Sequence, residues 1–376
     1  MKRLLVGLVG VLVVALVASG CSSGASGDSI TIGVVGPMTG DSAECGRDIA
    51  NGAKMAVEEF NASGVLKGKK IVVDVQDDKG DPNQAAIIAQ RFVDAKVTGV
   101  VGHYSSSATA AGMPAYQKGQ VPLLAPTASK PDLIKLPEHS YIFRTADSQE
   151  EEGKILADLF INKLKKKNIG IFFVATDWGN ANHEHLVKNL KKLGANIVYD
   201  KSYTPGQSID FQASLTAMAA AKPDLYYFGC EYNDAAMIIR QAREIGITET
   251  IGCSCLEYAD EFLTLGGKAV EGVYLDTIFF PDSPDPRDKA FIDGYKQRYG
   301  KLPTFNASEA YEGTKVLLEA IRIGGTDRAK VRDALENMKD FMAFNRPVSY
   351  SPDNHNSFNS HYTILQVKDG KFVAVH

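Results

Sequence analysis

Short apolar runs alternate with amphipathic helical stretches along most of this chain. Runs with the length of buried strands occupy residues 30–35, 71–75, 97–102, 121–125 and 141–145. Between two of them, Ile49, Ala53, Val57 and Phe60 recur at helical spacing. Because such strands alternate with helices, the pattern predicts an α/β fold with parallel sheets.

The same alternation begins again after Ala146. It predicts strands at residues 169–174, 195–199, 225–229 and 250–253 and one long strand at 270–280, helices at 150–166, 183–193, 233–245, 286–299, 309–323 and 327–338, and a C-terminal hairpin at 362–375. The Asp369-Gly370 pair suits the turn of that hairpin. This second series is too long to extend one sheet, so we place a lobe boundary near Ala146.

Hydroxyl side chains gather in the segment at residues 97–129. Ser105, Ser106 and Ser107 follow one predicted strand and open a helix, and Thr127 and Ser129 follow the next strand. Because parallel strands end at a common edge where helix N-termini point outward, the segment predicts a pocket for a small anion such as a carboxylate. The alternative is that the serines only cap the helix, but a cap needs one hydroxyl and this loop offers three.

The N-terminus has the layout of a secretory signal. Lys2 and Arg3 precede an apolar run at residues 4–17, and Ala18-Ser19-Gly20 stands before Cys21. These small residues resemble a bacterial lipobox, which implies removal of residues 1–20 and lipidation of Cys21. A single membrane-spanning helix is the alternative, but the run is short for a span of about 20 residues.

Charge and motifs exclude several function classes. Removing Lys2 and Arg3 from the 41 basic side chains leaves 39 against 45 acidic ones, which argues against a nucleic-acid surface. No P-loop, dinucleotide fingerprint or G-x-S-x-G elbow occurs, and His183-Glu184-His185 is not H-E-x-x-H. We expect His103 to support the serine loop, and we expect no cofactor, no metal and no catalysis.

Several short motifs in a fixed order carry a family resemblance. They are GPMTG at 36–40, DDKGDP at 77–82, GHYSSS at 102–107, APTAS at 125–129, FRT at 143–145, YNDAA at 232–236, RQA at 240–242 and VKDGKFV at 367–373. From about residue 30 onward the chain resembles the type I periplasmic binding proteins of the branched-chain amino acid (Leu/Ile/Val) ABC transporter group.

The resemblance implies two Rossmann-like lobes joined by three crossovers. The expected lobes are residues 28–146 with 277–348, and residues 147–276 with 349–376, which close on a ligand by a hinge. The family's carboxylate contacts fall on Ser106, Thr127 and Ser129, beside Ser105. Its second-lobe aromatic falls on Trp178, which would cover the ligand.

The expected ammonium site departs from the family pattern. Glu231 stands where relatives usually have Tyr, and Cys253-Ser254-Cys255 replaces a loop that usually carries an acid. We hypothesise that Glu231 accepts the ligand ammonium, because a buried cation needs a paired acceptor. The alternative is a solvated loop residue.

The cysteines are a second departure. Cys45 falls where relatives often place an aromatic against the ligand side chain, which would widen that wall. Cys230 and Cys253 are the best candidates for a disulfide, since an exported protein meets oxidising conditions. A soft-metal site is the weaker alternative for the thiols.

Together these features predict a lipid-anchored, monomeric solute-binding protein outside the cytoplasm. It would capture a small amino acid or related carboxylate and deliver it to an ABC permease in the membrane. The alternatives are a sensing subunit for amides, urea or aromatic acids, and a serine hydrolase. The identity of the ligand does not follow from the sequence.

Overall fold

Strands and helices alternate along the computed structural model, which describes residues 29–206, 210–281, 285–357 and 362–375. The predicted leader and Cys21 lie outside these residues. The strands are β1 (Ser29–Gly36), β2 (Lys70–Asp77), β3 (Val100–Val101), β4 (Leu123–Ala125), β5 (Ile142–Arg144), β6 (Asn168–Val174), β7 (Asn196–Tyr203), β8 (Leu225–Gly229), β9 (Thr250–Gly252), β10 (Tyr274–Thr277), β11 (Phe341–Met342), β12 (Pro347–Val348), β13 (Thr363–Lys368) and β14 (Lys371–Ala374).

The α-helices mostly connect these strands. They are α1 (Ala43–Ala62), α2 (Pro82–Asp94), α3 (Ser106–Lys118), α4 (Gln149–Asp158), α5 (Asp177–Lys192), α6 (Gln212–Ala220), α7 (Tyr232–Glu244), α8 (Asp260–Gly266), α9 (Pro286–Tyr299), α10 (Phe305–Gly324) and α11 (Arg328–Glu336). The alternation of strand and helix confirms the predicted α/β class.

The strands form two main sheets. The first has the order β2-β1-β3-β4-β5 and is parallel throughout. The second has the order β14-β13-β10-β9-β8-β6-β7, and it is parallel except for the C-terminal hairpin at its edge. The apolar side chains of Ile32 and Val34 in β1 and of Ile171 in β6 are fully buried, as expected for parallel sheets covered on both faces.

The chain returns to the first sheet after β10. Helix α10 packs on α1, and the Arg328 guanidinium at the start of α11 donates to the carbonyl oxygens of Val97 and Gly119 at 2.8 and 3.0 Å. The chain then enters the second sheet again through β13 and β14. It therefore passes between the regions of the two sheets after β5, after β10 and after β12.

Helices α1 and α10 are in close backbone contact at Gly52. A Cβ atom at this position would overlap the carbonyl oxygen of Ala307 and would lie 3.1 Å from the backbone nitrogen of Tyr311. Because both neighbours are backbone atoms of a buried helix, neither can move aside cheaply.

We therefore expect Gly52→Ala to lower the free energy of unfolding by about 1–3 kcal/mol, the usual cost of overpacking. The measurement is urea denaturation followed by circular dichroism. Lys54→Ala on the exposed face of the same helix is the matched control and should leave the midpoint nearly unchanged. An unchanged midpoint for the Gly52 variant would contradict this packing argument.

Three predicted elements differ from the structure. The long strand at 270–280 is wrong: Gly267–Val270 is a short 3-10 turn, and β10 ends at Thr277, whose hydroxyl donates to the Phe279 carbonyl at 2.9 Å. Helix α5 begins at Asp177, six residues earlier than predicted, because Thr176 caps it. The predicted helix 150–166 leaves α-helical geometry after Asp158 and ends in a wider π-helical turn.

Candidate functional site

One cavity lies between the carboxyl ends of strands from both sheets. It contains about 570 Å³ of space between atoms, its open mouth included. Its wall from the first-sheet region includes Tyr104, Ser105, Thr127 and Ser129, and its wall from the second-sheet region includes Trp178, Glu231 and Cys255. The cavity therefore brings together five of the seven ligand-site residues expected from the sequence: Ser105, Thr127, Ser129, Trp178 and Glu231.

The three serines at the start of α3 each have a separate contact. The Ser105 hydroxyl accepts the Ala108 N–H at 3.2 Å and caps the helix. The Ser106 hydroxyl accepts the Lys130 N–H at 3.3 Å, and the Ser107 hydroxyl accepts the Asp177 N–H at 3.3 Å. The capping alternative therefore applies to Ser105, which also lines the cavity, whereas the other two hydroxyls connect neighbouring loops.

The start of α3 also supplies main-chain donors. The first N–H groups of a helix have no partner within the helix, and they carry the positive end of its dipole. Ser106 is the first residue of α3, is buried, and is not among the residues that line the cavity. Any contribution of Ser106 to an anion site is therefore expected from its backbone.

Thr127 and Ser129 follow β4 at the same edge. The Thr127 hydroxyl donates to the Tyr104 carbonyl at 2.9 Å, which fixes one loop against the other. Because that hydroxyl is occupied, Thr127 has its backbone to offer a ligand, as expected from the sequence. Both residues line the cavity.

Glu231 is a partly buried acid at the opposite wall. Its carboxylate accepts from the Tyr104 hydroxyl at 3.0 Å and from the Ser42 hydroxyl at 3.3 Å. Burial raises its pKa from the usual range to about 7, and the two hydrogen bonds oppose part of that rise. Glu231 is therefore partly buried and held by two hydrogen bonds, and its contact with a ligand ammonium stays a prediction.

Trp178 sits in the first turn of α5. The Thr176 hydroxyl accepts the Gly179 N–H at 3.1 Å, and the Gln149 side chain donates to the Trp178 carbonyl at 2.8 Å. Beside it, the Lys130 ammonium donates to Asp177 at 2.9 Å across the cleft. These contacts hold the indole against the cavity, where it is only 8% exposed.

His103 has a supporting position. It is fully buried, with Nδ1 2.6 Å from an Asp78 carboxylate oxygen and Nε2 3.0 Å from the Tyr116 hydroxyl. Both ring nitrogens are therefore used inside the first-sheet region. No serine in the described residues shares a hydrogen bond with this ring, so the structure gives no nucleophile–base pair here.

The disulfide prediction is wrong. Cys45, Cys230, Cys253 and Cys255 are all free thiols. The register pairs Tyr227 with Gly252, so Cys253 follows beside Phe228 and not beside Cys230.

Cys45 also differs from its expected position. It is buried, its thiol shares a hydrogen bond with the Tyr104 side chain, and it does not line the cavity. Burial raises the pKa of its thiol, and the nearby Glu231 raises it further. The cavity wall that we expected Cys45 to widen is instead formed by Tyr104.

Several residues that line the cavity were not predicted from the sequence. Asp147, Gln149 and Glu152 follow β5, and Phe305 and Tyr362 also line the cavity. The rule that ligands settle where parallel strands end applies to β5 as well as to β3 and β4, and it would have indicated the first three. The two aromatics come from distant segments and carry no local signal.

The comparisons with known proteins give the class of protein. A family profile described as "Periplasmic binding protein" matches residues 29–371. The chain therefore belongs to the periplasmic binding protein family, whose members bind solutes.

Relatives and solved structures agree with this assignment. The chain is 31% identical to the leucine-specific-binding protein of Salmonella typhimurium over 76% of both chains. It is 28% identical to the leucine-, isoleucine-, valine-, threonine- and alanine-binding protein of Pseudomonas aeruginosa over 85% of both. The structure of LivJ, a branched-chain amino acid transporter substrate-binding protein from Streptococcus pneumoniae in complex with isoleucine, matches with 29% identity and a TM-score of 0.85, covering 92% of this chain and 99% of that one. The fold is thus that of type I periplasmic binding proteins, and within the described residues no helix has the length and hydropathy to cross a membrane.

Proposed function

We propose that this protein captures a small amino acid or related carboxylate by hinge closure and delivers it to an ABC permease. The observation that carries the proposal is the cavity between the two sheets, with hydroxyls and a helix N-terminus on one wall and the partly buried Glu231 on the other. A zwitterion has an anionic and a cationic end, and each end finds a complementary wall there. The names of the relatives support an amino acid ligand.

The proposed lobes are residues 28–146 with 277–348 and residues 147–276 with 349–376. Crossovers near Ala146, Thr277 and Val348 would form the hinge, in keeping with the three passages of the chain between the sheets. Because the ligand would contact both lobes, its binding favours the closed form, which a permease can distinguish from the open one.

The proposed location is outside the cytoplasm, with the protein tethered through lipid on Cys21 and acting as a monomer without cofactor, metal or catalysis. A thermal-shift screen of the purified protein against amino acids and small carboxylates tests the function. We expect at least one α-amino acid to stabilise the protein without being consumed, by about 2.7 kcal/mol at one hundred times its Kd. Hydrolysis of esters or amides, or the absence of any shift across the screen, would contradict the proposal.

A further inference from the structure

A cluster of buried acids lies at the end of the cavity formed by the second-sheet region. Oxygen atoms of Glu152 and Asp276 and the Cys255 sulfur lie within 4.8 Å of one another. Glu152 is on α4, Cys255 begins a short 3-10 turn after β9, and Asp276 is on β10. Three separate elements therefore bring acceptor atoms close to one another. Glu152 and Cys255 also line the cavity, whereas Asp276 is fully buried and reaches the cavity only through its neighbour Glu152.

Glu152 is held firmly in this position. One carboxylate oxygen accepts from the Asn182 side chain at 3.0 Å, and the other accepts the Cys255 N–H at 3.4 Å. Asn182 in turn accepts the Tyr227 hydroxyl at 2.7 Å. The Cys255 thiol also donates to Glu152. The network orients the carboxylate but provides no cation to balance it.

Asp276 lacks even that support. It is fully buried in the second sheet, and neither of its oxygens has a hydrogen-bond partner elsewhere in the described chain. A buried carboxylate without a partner is costly, because it loses the hydration that it has in water. One oxygen of the nearby Glu257 is also without a partner, while its other oxygen accepts from Ser254.

Besides burial, the groups that raise the pKa of Glu152 and Asp276 are acids, and the nearby cations Arg144 and Arg346 act on Asp147. The titratable groups that act on Glu152 and Asp276 are acids, phenols and a thiol: Asp147, Tyr227, Cys255, Glu257 and Tyr362. No Lys, Arg or His is among the described residues that line the cavity, whereas Asp147, Glu152 and Glu231 are. Tyr104 and Trp178 add aromatic faces, which also attract cations.

We propose that Glu152 and Asp276 form a second cation subsite, so that the solute is an α-amino acid with a cationic ammonium or guanidinium group at the far end of its side chain. The inference rests on the proposed function. Glu231 would take the α-ammonium, and the Glu152–Asp276 subsite would take the distal cation, whose N–H groups satisfy the unpartnered oxygens of Asp276.

The Cys255 thiol favours an organic cation over a metal ion in this subsite. A metal such as Zn²⁺ takes cysteine as the thiolate, so its binding requires loss of the thiol proton. In this structure the thiol donates to Glu152. An N–H donor enters the subsite without breaking that arrangement.

Isothermal titration calorimetry of the purified protein with matched ligands tests the proposal. L-Lysine, L-ornithine and L-arginine are compared with L-norleucine, which has the lysine chain length without the terminal ammonium. We expect at least one of the three cationic amino acids to bind about tenfold or more tightly than norleucine. Equal or tighter binding of norleucine than of all three would overturn the cation subsite and leave the proposed function standing.

Substitutions of Glu152 and Asp276 test whether the preference for a cationic ligand arises at the cluster. Glu152→Gln and Asp276→Asn should each weaken binding of the cationic ligand by about tenfold or more and change norleucine affinity less than threefold. Glu151→Gln, an exposed neighbour on α4, is the matched control and should change neither. Equal loss for both ligands in folded variants would overturn the assignment.

Two further measurements make the outcome decisive even where a variant fails to fold. Burial raises the pKa of both Glu152 and Asp276, Asp147 raises that of Glu152 further, and Glu152 raises that of Asp276, so a cation that binds the pair at neutral pH should release protons. Titration in buffers of different ionisation enthalpy should show more proton release for the cationic ligand than for norleucine, and equal release would count against the subsite.

Stoichiometric Zn²⁺ binding that displaces the cationic ligand and is lost in Cys255→Ser would assign the cluster to a metal instead. If neither neutral nor cationic amino acids bind, the proposed function itself fails.

Discussion

Replacing Glu231 with glutamine is expected to weaken the binding of α-amino acids by about tenfold to a hundredfold. The substitution keeps the shape of the side chain and its ability to accept from the Tyr104 hydroxyl, but it removes the negative charge that would pair with the ligand ammonium. Calorimetric titration with the amino acid found in the ligand screen measures the effect.

Glu244→Gln is the matched control for this prediction. Glu244 is exposed at the far end of the same helix, α7, so its replacement changes the net charge equally without touching the cavity. Its affinity should match that of the unmodified protein. A Glu231 variant that binds with unchanged Kd would show that this carboxylate only connects the two walls through Tyr104 and Ser42.

Because the pKa of Glu231 is raised, the affinity for an α-amino acid is expected to change with pH. Its pKa of about 7 means that the carboxyl is largely protonated in the free protein below neutrality. Ligand ammonium favours the ionised form, so the affinity should rise as pH increases from about 5 to 8 and then level off. The Glu231→Gln variant should lose this part of the rise, which calorimetry across the pH range would detect.

The raised pKa of Glu231 also makes the stability of the ligand-free protein depend on pH, in the direction opposite to that of the ligand affinity. In the unfolded chain the carboxyl titrates near its usual pKa of about 4.5, whereas in the folded protein it keeps its proton up to about 7. The folded state therefore binds more protons in that window, and the contribution of Glu231 to stability falls as pH rises through it.

Local patterns were enough to predict the first sheet and most helices. The apolar runs of β1 and β8 and the helix at 286–299 are visible in the sequence because burial on both faces or on one stripe determines which residues can stand there. The prediction of one long strand at 270–280 was wrong because an apolar run does not reveal local backbone geometry. Gly272 adopts a positive φ, and the Thr277 hydroxyl closes a local turn. Apolar character predicts burial better than it predicts strand length.

Some residues of the candidate site could be predicted from the sequence and others could not. Ser105, Thr127 and Ser129 were predictable because they follow strands at one sheet edge, and the edge rule needs only chain order. The burial of Asp276 was not, because it depends on the pairing of β10 with β13, in which Tyr274 lies opposite Gln366, as well as with β9, in which Tyr274 lies opposite Gly252. The cation cluster is therefore a tertiary property, whereas the anion wall is a local one.

Removing the carboxylate of the ligand is expected to have the largest effect, a loss of affinity of about a hundredfold or more, because several charge-assisted hydrogen bonds and the dipole of α3 would disappear together. The measurement compares the bound amino acid with its amide and with the amine that lacks the group. Ser129→Ala should reproduce part of the loss, about tenfold for the acid and little for the amine. Ser140→Ala, whose hydroxyl accepts from Gln117 outside the cavity lining, is the matched control. Equal affinity for acid and amine would mean that the wall at Ser105, Thr127 and Ser129 does not hold an anion, and the amino acid would then have to be bound through its cationic groups alone.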